Sequence, residues 1–205
     1  MMMIDIIMGV KPGSVEMKIS EDAARANHER IVAKASELFR ARGFDGVAIG
    51  DVMKAAGFTH GGFYNHFASK DDLAAGAVGH AFAQMAAVRA QTPDIKVLLS
   101  LYLSEAARRA PAKSCPAAAL AGDVARAPKP VRTAFAAGLE DMVTSVSAAL
   151  RGSRGSTEDD RTRAINLVAK MVGGLALSRA LPDSDPLARE VLQAVLSGAL
   201  DDAAG

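Results

Sequence analysis

The chain has 205 residues, one cysteine (Cys115) and no tryptophan. A single thiol can neither close an internal disulfide nor complete a multi-cysteine zinc site, so the usage fits a reducing compartment, and a cytoplasmic location is expected. Aromatic residues make up only 4% of the chain, and alanine and leucine recur instead. That composition favours helix over strand. Net charge is nearly absent too: 24 Lys and Arg against 23 Asp and Glu leave +1. The total therefore points neither to a polyanion binder nor to a disordered tail, and any nucleic-acid signal has to be local. No stretch reaches the roughly 18 uninterrupted apolar residues of a spanning helix, so no membrane partner is expected. The apolar start, Met1 to Val10, is interrupted by Asp5 and lacks a preceding positive charge or a small-residue cleavage pattern, so it is a poor signal peptide. Residues 1–20 are expected to be mobile.

Half the residues are apolar, and a chain of this length can bury a sizeable core. From about Ala23 to Arg42, Ile31, Ala35, Leu38 and Phe39 recur at spacings of three and four. Gly43 then acts as a stop, with Arg40 and Arg42 in the last turn. Two short helical pieces follow, about 49–56 and 59–66, joined by Gly57-Phe58. Glycine permits a left-handed turn there, so the pair suggests a helix-turn-helix. Ser69 opens a longer run to about Ala90, with Asp72 completing a variant capping box. Beyond Pro93 the breakers delimit helices at about 94–110, 116–126, 129–151, 158–181 and 186–202. No fixed-period repeat and no βαβ alternation is present. An all-α chain of about nine helices is expected.

The informative stretch runs from Gly43 to Leu73. It contains Gly43-Phe44, the turn Ala56-Gly57-Phe58-Thr59, then Gly61, Tyr64, His66-Phe67, Lys70 and Leu73. Thr59 stands where an N-cap is needed, so its hydroxyl can accept a backbone N–H, and a helix start suits a phosphate. His60 and Tyr64, four apart, share a face, Gly61 and Gly62 remove bulk, and Phe63 can turn inward. From Val52 to Lys70 there are two lysines and two histidines with no carboxylate, whereas residues 21–73 carry seven basic against eight acidic groups. The reading edge is locally positive although the whole segment is not, which implies few phosphate contacts and a shallow salt dependence.

Over about residues 23–90 this pattern resembles the N-terminal region of the TetR family of one-component transcription repressors. The resemblance implies a three-helix helix-turn-helix head at 21–68, followed at 69–205 by a larger helical domain for effector binding and dimerisation. It places His60, Gly61, Gly62 and Asn65 where family members touch bases or sugar-phosphate, and Tyr64, His66 and Lys70 where they clamp phosphates. The implied partners are double-stranded DNA, a second copy of the chain and a small-molecule effector whose binding releases a roughly palindromic operator. The chain departs from the pattern at Val47-Ala48, where relatives usually carry Ser or Thr at the start of the second helix.

Other readings compete at single residues. His60 and His66 match no zinc spacing and have no nearby cysteine or carboxylate, so neither a metal nor any other cofactor is implied. Cys115, just before Pro116, sits at an expected helix start that would favour a thiolate and redox or electrophile sensing, or it is a small buried hydrophobe. Tyr102, Phe82, Met85, Phe135 and Met142 line an inner cavity or are ordinary core, with Tyr102 the candidate effector contact. In the last two helices Ile165, Val168, Val172 and Leu175 form one stripe with Leu167 and Met171 beside it, so two partners are needed and a homodimer through about 158–181 and 186–202 is expected. Gly173-Gly174 and Ala176 would allow close packing there. No nucleophile elbow, P-loop or HExxH occurs, so no catalytic residues are assigned and an enzyme is not expected. The alternative is a helical dimeric protein-interaction module with a degenerate helix-turn-helix.

Overall fold

The computed structural model describes residues 21–92, 94–151 and 159–204. The expected mobility of residues 1–20, and the polar run at 152–158, lie outside the described residues. Among those described, nine α-helices and two 3-10 helices occur and no strand. Helix α1 (Glu21–Arg42) turns Ile31, Val32, Ala35 and Phe39 inward at spacings of three and four. It ends at Gly43, whose φ of 73° is open to glycine without a Cβ penalty, and the Gly43 N–H closes the last turn on the Phe39 carbonyl at 2.8 Å. Helix α2 (Ile49–Ala55) follows, then Gly57 at φ 81°, then a 3-10 helix over His60–Asn65.

Helix α3 (Lys70–Ala90) starts at Ser69, whose hydroxyl accepts from the Asp72 N–H at 3.1 Å. The reciprocal bond is displaced by one residue, because the Asp72 carboxylate accepts from the Ala68 N–H at 3.0 Å rather than from Ser69. With Leu73, Ala77, Val78 and Phe82 buried, α3 packs on α1 and, most extensively, on α7 (Lys129–Arg151). The close approach to α7 occurs at Gly138, where a Cβ would lie 2.2 Å from the Phe82 ring.

The single helix expected over 94–110 is two helices, α4 (Ile95–Tyr102) and α5 (Glu105–Arg109). Ser104 causes the break: its hydroxyl donates to the Leu101 carbonyl at 2.8 Å and accepts from the Ala107 N–H at 3.0 Å, so it ends one helix and caps the next. A second 3-10 helix, Pro111–Lys113, leads to α6 (Pro116–Val124), with Cys115 at its N-cap. Helices α8 (Asp160–Ala180) and α9 (Pro186–Ala204) pack against each other, and the Ser178 hydroxyl donates to the Ala188 carbonyl at 2.7 Å between them.

The apolar rows of α8 divide between the core and the surface. Ala164, Leu167, Val168, Met171, Leu175 and Ser178 are buried, whereas Ile165 is 45% exposed. The apolar residues occupy two adjacent stripes, and the 3.6-residue period lets only one of them face α7 and α9. Gly174 also serves a contact within the chain, since a Cβ there would meet Val195 of α9 at 2.7 Å. No helix of the described residues is long and apolar enough to cross a membrane.

Candidate nucleic-acid interface

The head is fixed from inside by Phe63. Its fully buried ring stacks on Phe67 at 5.5 Å and meets Tyr64 edge-on at 5.1 Å. Anchoring the 3-10 helix by that residue leaves the opposite edge outward: Thr59, His60, Gly61, Tyr64 and Asn65 are exposed, and Gly62 is half-buried. Tyr64, at 69% exposure, is the exposed large hydrophobic residue of the described head. A Cβ at Gly61 would meet nothing within 4 Å, so the backbone there lies open to an approaching surface.

The segment is a 3-10 helix rather than an α-helix. Two adjacent glycines forfeit about 1 kcal/mol each against alanine in a regular helix, which weakens propagation of the α form. Thr59 occupies the N-cap position with an extended backbone, but its hydroxyl makes no capping bond. The Gly62 N–H bonds the Thr59 carbonyl instead, at 3.1 Å, because a 3-10 turn closes one residue sooner than an α-turn. The missing hydroxyl at the start of α2 is compensated from the other side. Ala48 has no side-chain acceptor, yet the Asp51 carboxylate accepts from the Ala48 N–H at 3.2 Å, which is half of a capping box.

His66 and Lys70 differ in surroundings from the exposed edge. His66 is half-buried in an aromatic group, with its ring 6.2 Å from Phe58 and 6.5 Å from His28, and His28 stacks on Phe67 at 4.6 Å. The Lys70 ammonium donates to the Phe44 carbonyl at 2.6 Å, tying the start of α3 to the loop after α1, and two of its three N–H donors remain for another acceptor. Arg30, which the spacing of the motif did not single out, lies with its guanidinium 4.4 Å from the Phe58 ring centroid and holds α1 against the turn. Nothing in the sequence pairs these two residues, which are distant along the chain.

At the end of α1, Arg40 joins three elements. It is only 4% exposed, and its guanidinium donates to the Ser36 carbonyl at 3.1 Å, the Ser114 carbonyl at 2.9 Å and the Gln84 side-chain oxygen at 3.0 Å. In the sequence Arg40 stands in the last turn of α1 as a partner for the helix dipole. Its position four residues after Ser36 and eight after Val32, on the buried face of α1, was the available signal. The Ser114 hydroxyl in turn accepts from Arg179 of α8, whose guanidinium also donates to the Ala107 and Arg108 carbonyls at 2.7 and 3.2 Å.

Ser114 and Cys115 form part of the wall of a cavity of about 320 Å³ lined otherwise by residues of α3, α4, α5, α7 and α8 and of the segment 110–113. Cys115 and Tyr102 both line it, as do Met85 and Met142, whereas Phe82 and Phe135 pack on each other outside its lining, 5.4 Å apart. Cys115 is 3% exposed, with its sulfur 4.0 Å from that of Met142. Burial, followed by the neighbouring Cys115, pushes the Tyr102 hydroxyl well above the ordinary tyrosine range. Among the described residues no group of three or more His, Cys, Asp or Glu side chains is placed to hold a metal ion.

The family model for "Bacterial regulatory proteins, tetR family" matches residues 31–77, and that for "Transcriptional regulator LmrA/YxaF-like, C-terminal domain" matches residues 94–191. No curated protein matches significantly. Among solved structures, the reduced form of NemR from E. coli is similar at 18% identity, with 86% of this chain and 96% of that one covered and a TM-score of 0.71. A TetR-family transcriptional regulator from Cytophaga hutchinsonii gives 17% identity, 89% and 95% coverage and a TM-score of 0.73. Another, from Chloroflexus aurantiacus, gives 26%, 88% and 95%, and 0.68. The two more distant likenesses speak for the fold, and the two family models between them take in the helix-turn-helix and the helical unit behind it. The chain belongs to the TetR family and is a DNA-binding transcriptional regulator, not an enzyme.

Proposed function

We propose that the chain is a repressor that grips a roughly palindromic operator as a homodimer and lets go when a small effector fills the cavity beside Cys115. Residues 21–68 form the reading head and 69–205 the effector and dimer unit. The observation that carries the reading is the outward edge Thr59, His60, Gly61, Gly62, Tyr64 and Asn65 standing over a buried Phe63. Such an edge offers side chains to base edges and phosphates, while His66 and Lys70 steady its far end and Lys70 keeps donors for a phosphate.

Two heads require a two-fold axis, and the uncovered apolar face of α8 and α9 supplies a surface for one. Ile165, Leu177 and Leu187 are 45%, 62% and 46% exposed, and Gly173 and Ala176 lie between the first two on α8. A second copy of the same face would bury them in an isologous four-helix contact.

Release follows from a population shift. The effector has to bind a conformation with mis-spaced heads more tightly than the DNA-competent one, by about 1–3 kcal/mol for ordinary coupling. Ser114 is the suitable relay, because it belongs to the cavity wall and its carbonyl takes a hydrogen bond from Arg40 of α1.

The test begins with the DNA site that the protein selects from genomic fragments. Tyr64→Ala is expected to weaken binding to that site by about tenfold, the loss of one good backbone contact, with the dimer unchanged in light scattering. Unaltered affinity would remove Tyr64 from the DNA contact.

A further inference from the structure

The cavity is not uniformly apolar. Met85, Leu98, Met142, Val146, Met171 and Leu175 give it a hydrocarbon wall, and its volume falls in the range of small-ligand sites. Arg89, near the end of α3, and Tyr102, at the end of α4, interrupt that wall. The Nε and Nη2 atoms of Arg89 are buried without a hydrogen-bond partner, and the Tyr102 hydroxyl, buried beside the Cys115 thiol, has no oxygen or nitrogen partner. The two groups are close enough to perturb each other electrostatically. No aspartate or glutamate lines the cavity. A guanidinium cannot shed its proton, and buried donors without acceptors are costly, so this arrangement is incomplete until something supplies oxygen acceptors.

We propose that the cavity is a site for an amphipathic carboxylate, its apolar body held by the methionine and leucine wall and its carboxylate accepting from Arg89, with the Tyr102 hydroxyl donating to the same group. This deepens, and rests on, the reading of the cavity as the effector site. Planar bidentate pairing suits a carboxylate to arginine. An alcohol offers one weak acceptor, and an amine brings a second positive charge to a wall that already holds Arg89 and Lys113. The mouth is apolar as well, with Val88 and Leu101 at 45% and 55% exposure, so an alkyl or aryl body can extend through it.

Calorimetric titration of the full chain with octanoate, 1-octanol and octylamine, and with 4-phenylbutyrate and 4-phenyl-1-butanol, tests the assignment on two body shapes. Each carboxylate is expected to bind at least about tenfold tighter than its alcohol, with the amine weakest. Arg89→Met should erase that preference while leaving alcohol binding as it was, which also shows that the cavity is intact, and Arg89→Lys should restore part of it. Equal affinity for acid and alcohol, or a preference that survives Arg89→Met, overturns the carboxylate assignment and leaves the cavity as an effector site for another class. A carboxylate that binds with the expected preference but does not dissociate the selected DNA in the same buffer supports the site and overturns its role as the effector site. If none of the five compounds binds, the assignment falls.

Discussion

Two arginines on facing elements behave in opposite ways. Arg40 of α1 is buried with three acceptors in place, one each from α1, α3 and the loop before α6. Arg89 of α3 lines a cavity with two of its nitrogens buried and unmatched. For both, burial opposes the charge and draws the guanidinium below its ordinary range, yet only one site repays that within the chain. A completed set of hydrogen bonds marks a joint of the scaffold. At Arg89 the incomplete set coincides with a cavity wall, where a bound acceptor can reach it.

The comparison breaks most directly on paired substitutions to methionine, which keep an unbranched apolar stem and remove the charge and the donors. Arg40→Met leaves the Ser114 carbonyl and the Gln84 oxygen without their donor and frees α1 from the loop before α6. A loss of about 2–4 kcal/mol in urea-induced unfolding is expected. Arg89→Met removes a charge that makes no ion pair within the chain and has only the more distant support of Asp141, so its stability is expected to stay level or rise by up to about 1 kcal/mol. Equal losses at the two positions would show that Arg89 has a structural partner within the chain and would end the contrast.

A smaller effect is expected from the helix that the two regions share. Gln84 and Arg89 both belong to α3, which is seated on α7 where Phe82 fills the space over Gly138. Gly138→Ala puts a methyl group into that ring, and the helices have to part or Phe82 has to turn. A loss of about 1–3 kcal/mol is expected, the usual result of overpacking. If α3 moves as one piece, octanoate affinity and operator affinity should both change in the same variant. A change in only one would show that the Arg40 joint and the cavity respond separately.

The outline of this fold was legible because helix periods, glycine stops and proline breaks are local signals. Gly43 and Gly57 sit at positive φ where the turns were expected, and the helices over 69–90, 129–151 and 186–202 shift by at most about two residues, the ordinary uncertainty of a helix end. The single run 94–110 failed because Ser104 read as one more polar helix residue, whereas its hydroxyl competes for the backbone on both sides. Which apolar row of α8 faces the core has no local signal, because residues 164–175 are apolar on adjacent faces and only packing selects between them. In the candidate site, the roles expected of Thr59 to Lys70 rest on the resemblance of the motif. It could not show that Lys70 leans on Phe44 or that Arg30 lies over Phe58. The arginines were illegible for the same reason: whether a buried guanidinium is matched depends on carbonyls many residues away, and no local pattern encodes those.

The smallest expected effect concerns pH and ties back to Arg40. His80 of α3 is half-buried, and its Nε2 is buried without a partner. Burial lowers its pKa below the ordinary 6.5, Arg40 lowers it further, and Glu37 and Glu29 oppose the change. The unfolded chain therefore takes up a proton at His80 at a higher pH than the folded chain does. It follows that the stability due to neutral His80 is complete above about pH 6.5 and declines as the pH falls through that value towards the lower folded pKa, below which no further change comes from this residue. His80→Gln should remove this slope, read as the difference between its denaturant midpoints and those of the parent between pH 7.5 and about 5. Arg40→Met should shrink the slope without abolishing it, because it removes the nearby positive charge while burial remains. If the slope in Arg40→Met matches the parent's, the repulsion across the α1–α3 joint is negligible and burial alone holds His80 neutral.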